Sequence, residues 1–286
     1  MDYGIKLGLC LASLILISTL LMSGISPTYY KIEVPRFLRN HNLLSQDSTL
    51  AAELELQKEL YQRQQKERQA VLKSVKVFAH VYNPYIPEVN CLFLARLGHP
   101  DDGGKWTCNP WKLPEDCVVY SLGVGGDNSF ERDLNFVSQA RCKILAFDPN
   151  QNYSSLFTNM SNAKFFAWKI GSVSGKNVYT VPWIKNNFGH KKIDFLKIDV
   201  EGSEFEVIPK MFAAGVKPCQ IFIEIHPGND PKKMAALLRT FAEAGYLNFA
   251  KEINGYWNNL CEFSFILESC MKDYGLSVVT HRNIQL

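Results

Sequence analysis

No Cys-x-x-Cys pair occurs among the eight cysteines of this 286-residue chain, so the usual spacing of a structural zinc site is absent. An excess of charge of either sign is missing too. Against 31 Lys and Arg stand 28 Asp and Glu, a net charge of +3. A phosphate-tracking nucleic-acid domain would be strongly basic, so no nucleic-acid partner is expected. Between Leu7 and Ile25 there is no charged residue at all. What is present is 47% hydrophobic and 12% aromatic residues, ample for the core of one large domain or two small ones.

The uncharged run of 19 residues would span about 28 Å as a helix, close to the hydrocarbon thickness of a bilayer. Pro27 would follow a cut after Ser26, and Leu21 or Met22 spoils the small-residue pattern before Ser23 or Gly24. An uncleaved signal anchor over residues 1–26 is therefore expected; cleavage would instead yield a secreted protein. Lys6 alone flanks one side, whereas Lys31, Arg36 and Arg39 flank the other, and that asymmetry by itself would leave the bulk of the chain in the cytosol. The sequons at Asn152 and Asn159, together with the cysteine usage, point the other way, to a luminal C-terminal domain.

Setting aside Cys10 in the apolar run, seven cysteines remain, an odd number. One or two disulfides are expected if the domain matures in an oxidising compartment, with Cys91 and Cys108 the leading pair. The alternative is a set of buried free thiols.

Residues 27–81 read as a stem. Ser45 to Lys76 is rich in Glu, Gln, Lys, Arg and Leu and holds no Gly or Pro, which predicts a helix. Its leucines do not continue as heptads through Gln62 to Gln69, so the helix reads as a solvated spacer whose tail, Val71, Leu72, Val75 and Phe78, docks on the domain.

The globular part, residues 82–286, opens with a turn-rich loop, HPDDGGKWTCNP, from His99 to Pro110, read as part of a disulfide-held cover over one end of a sheet. Val118 to Leu122 then reads as a strand, Gly123, Gly125 and Gly126 as a tight loop, and the residues from Phe130 as a helix that Asp127, Asn128 or Ser129 caps. Glycines let a ligand approach the backbone, and a helix N-terminus offers free N–H groups to an anion. Lys143 to Asn150 is a strand ending in Asp148, 25 residues beyond Gly123, a spacing that suits an acid on ribose hydroxyls. Lys164 to Ile170 is a third strand, with Trp168 either core or the border of an adenine ring.

Ile193 to Val200 is the fourth strand, followed by the turn Glu201-Gly202 and a helix with Ser203 able to cap it. Gln220 to Ile225 is the fifth, running into His226-Pro227-Gly228. Asp230 to Ala244 is an amphipathic helix with Pro231 in its first turn. Tyr246 to Lys251 and Glu262 to Leu267 pair as closing strands. Strands alternating with helices predict a mostly parallel doubly wound sheet, and ligands of such sheets collect at the carboxyl ends of the strands.

The order YSLGVGGDNSFE, AFDPN, IDFLKIDVEGSEFEVI and IFIEIHPG resembles the FkbM-type branch of S-adenosylmethionine-dependent methyltransferases over roughly Cys91 to Leu267. More narrowly, the DGGKWTCNP loop, the YSLG opening and the N-terminal anchor resemble the methyltransferase-like protein 24 group. The resemblance implies a class I methyltransferase (Rossmann-like) fold, with a seven-stranded, mostly parallel sheet and an antiparallel last hairpin. It implies S-adenosyl-L-methionine as cofactor, with Gly123, Gly125 and Gly126 beside its methionine portion, Asp148 on its ribose and Asp199 near the reactive methyl. Many class I enzymes carry an acid two residues before the first glycine; here Ser121 stands there and is the expected hydrogen-bond partner. Glu201 is expected to orient the loop, and Glu204 to serve as the helix's own first-turn charge.

Methyl transfer requires an acceptor held in line and a proton removed from it. Asp199 and Glu224, ending neighbouring strands, are the candidates for that task, with His226 beside them; no local ligand motif accompanies them, so no metal is expected. The expected acceptor is a hydroxyl of a glycan or another secretory-pathway molecule. A catalytically silent, membrane-anchored binding module is the alternative. A nicotinamide-dependent oxidoreductase ranks last, because the third position of a G-x-G-x-x-G pattern is Asn128.

Overall fold

The structure, a computed structural model, describes residues 43–284. The run Leu7–Ile25 and the anchor expected from it lie outside the described residues, as does the irregular stretch from Pro27. Among the described residues no helix is long and apolar enough to cross a membrane.

Helix α1 (Leu43–Lys73) and the short α2 (Ala79–Tyr82) precede a hairpin of β1 (Leu94–Leu97) and β2 (Lys105–Cys108). There follow β3 (Val118–Leu122), α3 (Ser129–Val137), β4 (Lys143–Phe147), β5 (Ala163–Phe166), β6 (Lys169–Ile170), β7 (Val178–Tyr179) and α4 (Val181–Asn187). The chain closes with β8 (Phe195–Ile198), α5 (Glu204–Ala213), β9 (Gln220–Ile225), α6 (Pro231–Glu243), β10 (Tyr246–Ile253) and β11 (Cys261–Leu267).

Seven strands form the main sheet in the order β10-β11-β9-β8-β3-β4-β5. The neighbours from β9 to β5 pair in parallel, and β11 pairs antiparallel with both β9 and β10. Helices cover both faces, so the central strands read as unbroken apolar runs. In β9, QIFIEI, every residue is buried: Ile221, Ile223 and Ile225 pack on one face and Phe222 on the other. At α6 the expected cap forms, with Asp230 Oδ1 accepting from Lys232 N at 2.9 Å and Lys233 N at 3.2 Å, while Met234, Leu237, Leu238 and Phe241 turn inward.

Four expectations need correction. The stretch Lys164–Ile170 is two strands: β5 joins the main sheet, whereas β6 pairs with β7 in a separate ribbon, and Trp168 stands at the break. The loop His99–Pro110 contains β2, whose residues have the alternation of a short strand. Gln220 pins it to β9, its amide giving 2.7 Å to Cys108 O and accepting 3.0 Å from Cys108 N. Three disulfides form rather than one or two, Cys91–Cys108, Cys117–Cys142 and Cys219–Cys270, with Cys261 a buried free thiol.

The stem helix is not a free spacer over its second half. Gln65 and Gln69 donate to the carbonyls of Arg282 and Asn283 at 2.7 and 2.6 Å, and the Tyr61 and His281 rings lie 4.5 Å apart. Residues 57, 61, 64, 65, 68 and 72 share one helical stripe, which is the face that docks. Most of that stripe is amide and phenol, so no apolar periodicity announces it.

Candidate active site

The site lies along the carboxyl ends of β3, β4, β8 and β9. After β3 the chain must turn sharply beside β8. Gly123 has φ +82°, and a Cβ there would stand 1.7 Å from the Asp199 carbonyl oxygen, so only glycine fits. Gly125, at φ +63°, has nothing within 4 Å of its Cβ position, leaving an open face against the backbone. Gly126 packs against the Tyr153 ring instead. The loop is held from below by Lys197, whose ammonium donates to Gly123 O, and from the side by Asp148, whose Oδ2 accepts from Val124 N at 3.0 Å and Gly125 N at 3.2 Å.

A cavity of about 250 Å³ opens here, lined by Gly123, Asp148, Trp168, Asp199, Glu201 and Ser203 among others. Trp168, left between core and ligand border by its sequence, stands where the aromatic core meets the cavity. It lines the cavity and packs against Phe147, Phe166, Tyr179 and Phe188. Ser121 stands apart from this wall. It is fully buried, and its hydroxyl donates to Glu131 on α3, so the expected contact to a bound ligand is replaced by an internal one. Gly125 and Gly126 are likewise not among the lining residues. Ser203 occupies the N-cap position of α5 without a side-chain capping bond.

Beyond Asp199 the acids gather. Glu201 sits at φ +53°, uncommon for a side-chain-bearing residue, followed by Gly202 at +95°, and this strained turn carries the Glu201 carboxylate to 3.6 Å from His226 Nε2. His226 Nε2 also faces Asp199 Oδ1 at 3.8 Å and Glu224 Oε2 at 3.9 Å. Its other nitrogen, Nδ1, is 3.0 Å from Glu204 Oε1. Glu204 is the first-turn acid of α5, as expected, and has a further role. It is completely buried, and the same oxygen accepts from Val200 N at 3.1 Å and Gly202 N at 3.2 Å, tying His226 to the turn after β8.

Burial opposes charging of His226, but the Glu204 hydrogen bond and the charges of Glu204, Asp199 and Glu224 outweigh it and push the imidazole up to about 9. Burial and the charge of Asp199 raise Glu224. Asp199 is held below the usual carboxylate range: burial works against this, but Lys105, Lys197, His226 and a hydrogen bond with Glu224 prevail. The two shifts run in opposite directions, so Asp199 is the more readily ionised carboxyl of the pair and Glu224 the more basic.

Two residues of this cluster escaped the sequence reading. Lys105, on β2 and fully buried, places its ammonium against Glu262 on β11 and 3.9 Å from Asp199 Oδ2. The signal was a lone Lys in a four-residue strand pattern, KWTC, inside what read as a loop. Glu262 had no signal beyond its strand; only the register, which sets it directly across from Glu224, brings it to the site. Asp199, Glu224 and His226 do converge, one ligand-type atom from each lying within 4.8 Å of the others, and the cation beside them in the fold is the Lys105 ammonium.

A parallel sheet whose single antiparallel strand is inserted next to the fifth, with a glycine loop after the first strand and an acid after the second, defines a class I methyltransferase fold. A methyltransferase-domain family model matches residues 47–267, and the chain belongs to that family. It is 28% identical over 124 residues to the "Probable methyltransferase-like protein 24" of Rattus norvegicus, covering 39% of this chain and 33% of that protein. To the protein of the same name in Homo sapiens it is 29% identical over 126 residues, with the same shares. The match thus spans a third of the length of these curated relatives. Among solved structures, FkbM methyltransferase from Methylobacillus flagellatus is similar at 14% identity, with 52% of this chain and 43% of that one covered and a TM-score of 0.38. Fibrillarin from Aeropyrum pernix, solved with natively bound S-adenosyl-L-methionine, is similar at 10% identity, 64% and 86% coverage and a TM-score of 0.39.

The family makes S-adenosyl-L-methionine the cofactor, and the residues present fit it. The Gly123 backbone lines the cavity beside Asp148 and Asp199. Asp148 has three N–H donors, Val124, Gly125 and Asn150, which leaves one of a carboxylate's four acceptor positions for a hydroxyl. Trp168 supplies an aromatic wall.

Proposed function

We infer that this chain is a membrane-anchored methyltransferase of the secretory pathway that methylates a hydroxyl, with a glycan as the acceptor class. The observation that carries the reading is the junction of the glycine-loop cavity with the Asp199–Glu224–His226 cluster, because Asp199 belongs to both. When bound, S-adenosyl-L-methionine supplies a methyl group on a sulfonium already activated for displacement.

The chain's own residues then have three tasks. Gly123 admits the cofactor to the backbone, and Asp148 and Trp168 orient its nucleoside end. Glu224, in its ionised form, takes the proton of the acceptor hydroxyl onto a carboxylate oxygen; burial and the charge of Asp199 raise its pKa, which makes it the stronger base of the two carboxylates. His226, charged and fixed through Glu204, keeps Asp199 ionised beside it.

A luminal location is supported by three disulfides and by the exposure of both sequon residues, Asn152 and Asn159; Leu7–Ile25 is the anchor in this reading. A glycosidase that leaves the mobility of the cell-expressed protein unchanged would remove the luminal assignment. The alternative, a silent binding module, draws support from Ser121, whose hydroxyl is spent on Glu131. The two readings separate on titration of the full-length chain with labelled S-adenosyl-L-methionine, followed by methyl incorporation into an acceptor pool. Binding with incorporation that is lost in Asp199→Asn and Glu224→Gln supports the enzyme; binding without incorporation, or no binding at millimolar cofactor, counts against the enzyme and leaves the module.

A further inference from the structure

A second cavity, of about 380 Å³, adjoins the acid cluster and is walled by the turn after β1 and the loop after β10. Its chemistry begins in the sheet register. Glu224, Glu262 and Glu252 face one another across β9, β11 and β10, three carboxylates side by side. Like charges in direct cross-strand register repel, so such a row stands only with cations against it. Lys105 answers Glu262. Arg96 answers Glu252 with a forked pair, Nε to Oε2 at 2.9 Å and Nη2 to Oε1 at 3.0 Å, and two further donors go to the carbonyls of His99 and Asp101.

The cations of this wall are thereby used up, and its acids are not. Asp101 and Asp102 stand exposed on the rim without a basic partner; Asp101 Oδ2 accepts only the Tyr256 hydroxyl, at 2.9 Å, and Asp102 only the neighbouring Gly103 N–H, at 3.0 Å. Deeper in, Glu262 lines the cavity at 8% exposure, and its Oε2 has no hydrogen-bond partner. Asn254, the remaining amide, spends its nitrogen on Glu224 and its oxygen on Tyr256 N and Trp257 N. What the wall offers is acceptors and negative charge.

We propose that this cavity binds the methyl acceptor and that the acceptor carries an ammonium group beside its hydroxyls, as in an amino sugar. The proposal rests on the methyl-transfer reading only for the name acceptor; the cation preference stands on the cavity itself. An ammonium brings three donors and a positive charge, the complement of the unanswered carboxylates of Asp101, Asp102 and Glu262. A phosphate, sulfate or carboxylate meets like charge here, and a neutral sugar brings no charge to answer Asp101 and Asp102. The exposed Tyr256 ring adds a face for the cation.

The test titrates the full-length chain with glucosamine, N-acetylglucosamine and glucuronate below the pKa of the amine, and separately with S-adenosylhomocysteine. Glucosamine is expected to bind at least about tenfold tighter than its acetylated form, the equivalent of one favourable charge contact, and glucuronate weakest. Asp101→Asn with Asp102→Asn, both on the exposed rim, is expected to erase most of that preference while S-adenosylhomocysteine binding stays within about twofold. Equal affinity for the amine and the amide, tighter binding of glucuronate, or a preference untouched by the rim substitutions overturns the proposal, as does failure of all three sugars to bind. Cofactor-product binding without amine preference removes the cation site and leaves the methyltransferase; amine preference without cofactor-product binding does the reverse.

Discussion

His226 Nδ1 lies 3.0 Å from Oε1 of Glu204, a carboxylate with no exposed surface. One oxygen thus fixes both an imidazole and the backbone of the turn that follows β8. Removing its charge while keeping its shape separates those two duties. In Glu204→Gln the carbonyl oxygen still accepts from Val200 and Gly202, so the turn survives, but His226 loses its largest support. NMR titration of His226 is expected to find its pKa lower than in the parent, with a loss of about 1–3 kcal/mol in unfolding free energy. An unchanged histidine titration would sink the assignment of Glu204 as its partner.

Lys105 and Glu262 are both buried and ion-paired. Deleting one partner strands the other's charge, whereas deleting both removes the desolvation penalty as well. Lys105→Met is expected to destabilise the fold by about 3–5 kcal/mol. The double variant Lys105→Met/Glu262→Met is expected to recover most of it. A denaturant series on the two variants reads this directly; a double variant no more stable than the single one speaks against a mutual pair.

Gly123 and Gly125 share a left-handed backbone but not their surroundings. A methyl at Gly123 collides with the Asp199 carbonyl at 1.7 Å, so Gly123→Ala must move the strand end that carries Asp199. At Gly125 the methyl enters open space and pays only the left-handed strain of about 1–2 kcal/mol. Gly123→Ala is expected to abolish cofactor binding. Gly125→Ala is expected to fold and to weaken it far less, since its methyl enters open space and Gly125 does not line the cavity. Equal cofactor affinities for the two variants would show that the loop does not depend on the approach of Asp199.

The disulfides Cys91–Cys108 and Cys219–Cys270 close loops of 17 and 51 residues. Chain entropy alone makes loss of the longer one costlier, by about 1 kcal/mol. Replacing each pair by alanines and comparing urea midpoints checks the order. The opposite order would mean that the hairpin of β1 and β2 depends on its bridge more than on the Gln220 amide.

The main sheet was legible because its strands carry their own signal: apolar runs such as QIFIEI, punctuated by glycine and Asx turns, give both class and order. Asp148, Asp199, Glu224 and His226 were legible because they end those strands, where such folds bind ligands. Lys105, Glu262 and the further role of Glu204 were not. Lys105 reaches the site only because Gln220 pins β2 across β9, and Glu262 only because β11 pairs with β9 in one particular register. Both are long-range facts to which local periodicity is blind. The docked face of α1 was hidden for a different reason, because glutamine amides and a phenol, rather than leucines, bury it.

The same cluster sets the pH dependence of stability. His226 rises from its ordinary 6.5 to about 9, so the folded chain holds a proton there that the unfolded chain has released. That contribution is complete below about pH 6.5 and gone above about pH 9, and stability falls as pH rises through the window. Burial also lifts Glu88 to about 7, against hydrogen bonds from Asn248 and Asn283, and its contribution fades between its ordinary 4.5 and about 7. His281, lowered to about 4 by burial and by Arg68, has the opposite sign: its contribution is present above 6.5 and is lost as pH falls. Glu88 and His281 therefore oppose each other below pH 6.5, and between pH 7 and 9 the His226 slope stands clear of both. Urea unfolding at pH 7, 8 and 9 is expected to give midpoints that fall steadily in the parent and hold nearly level in His226→Gln. A slope that persists in the variant places the extra proton on another group and breaks the link between Glu204 and the charge of the site.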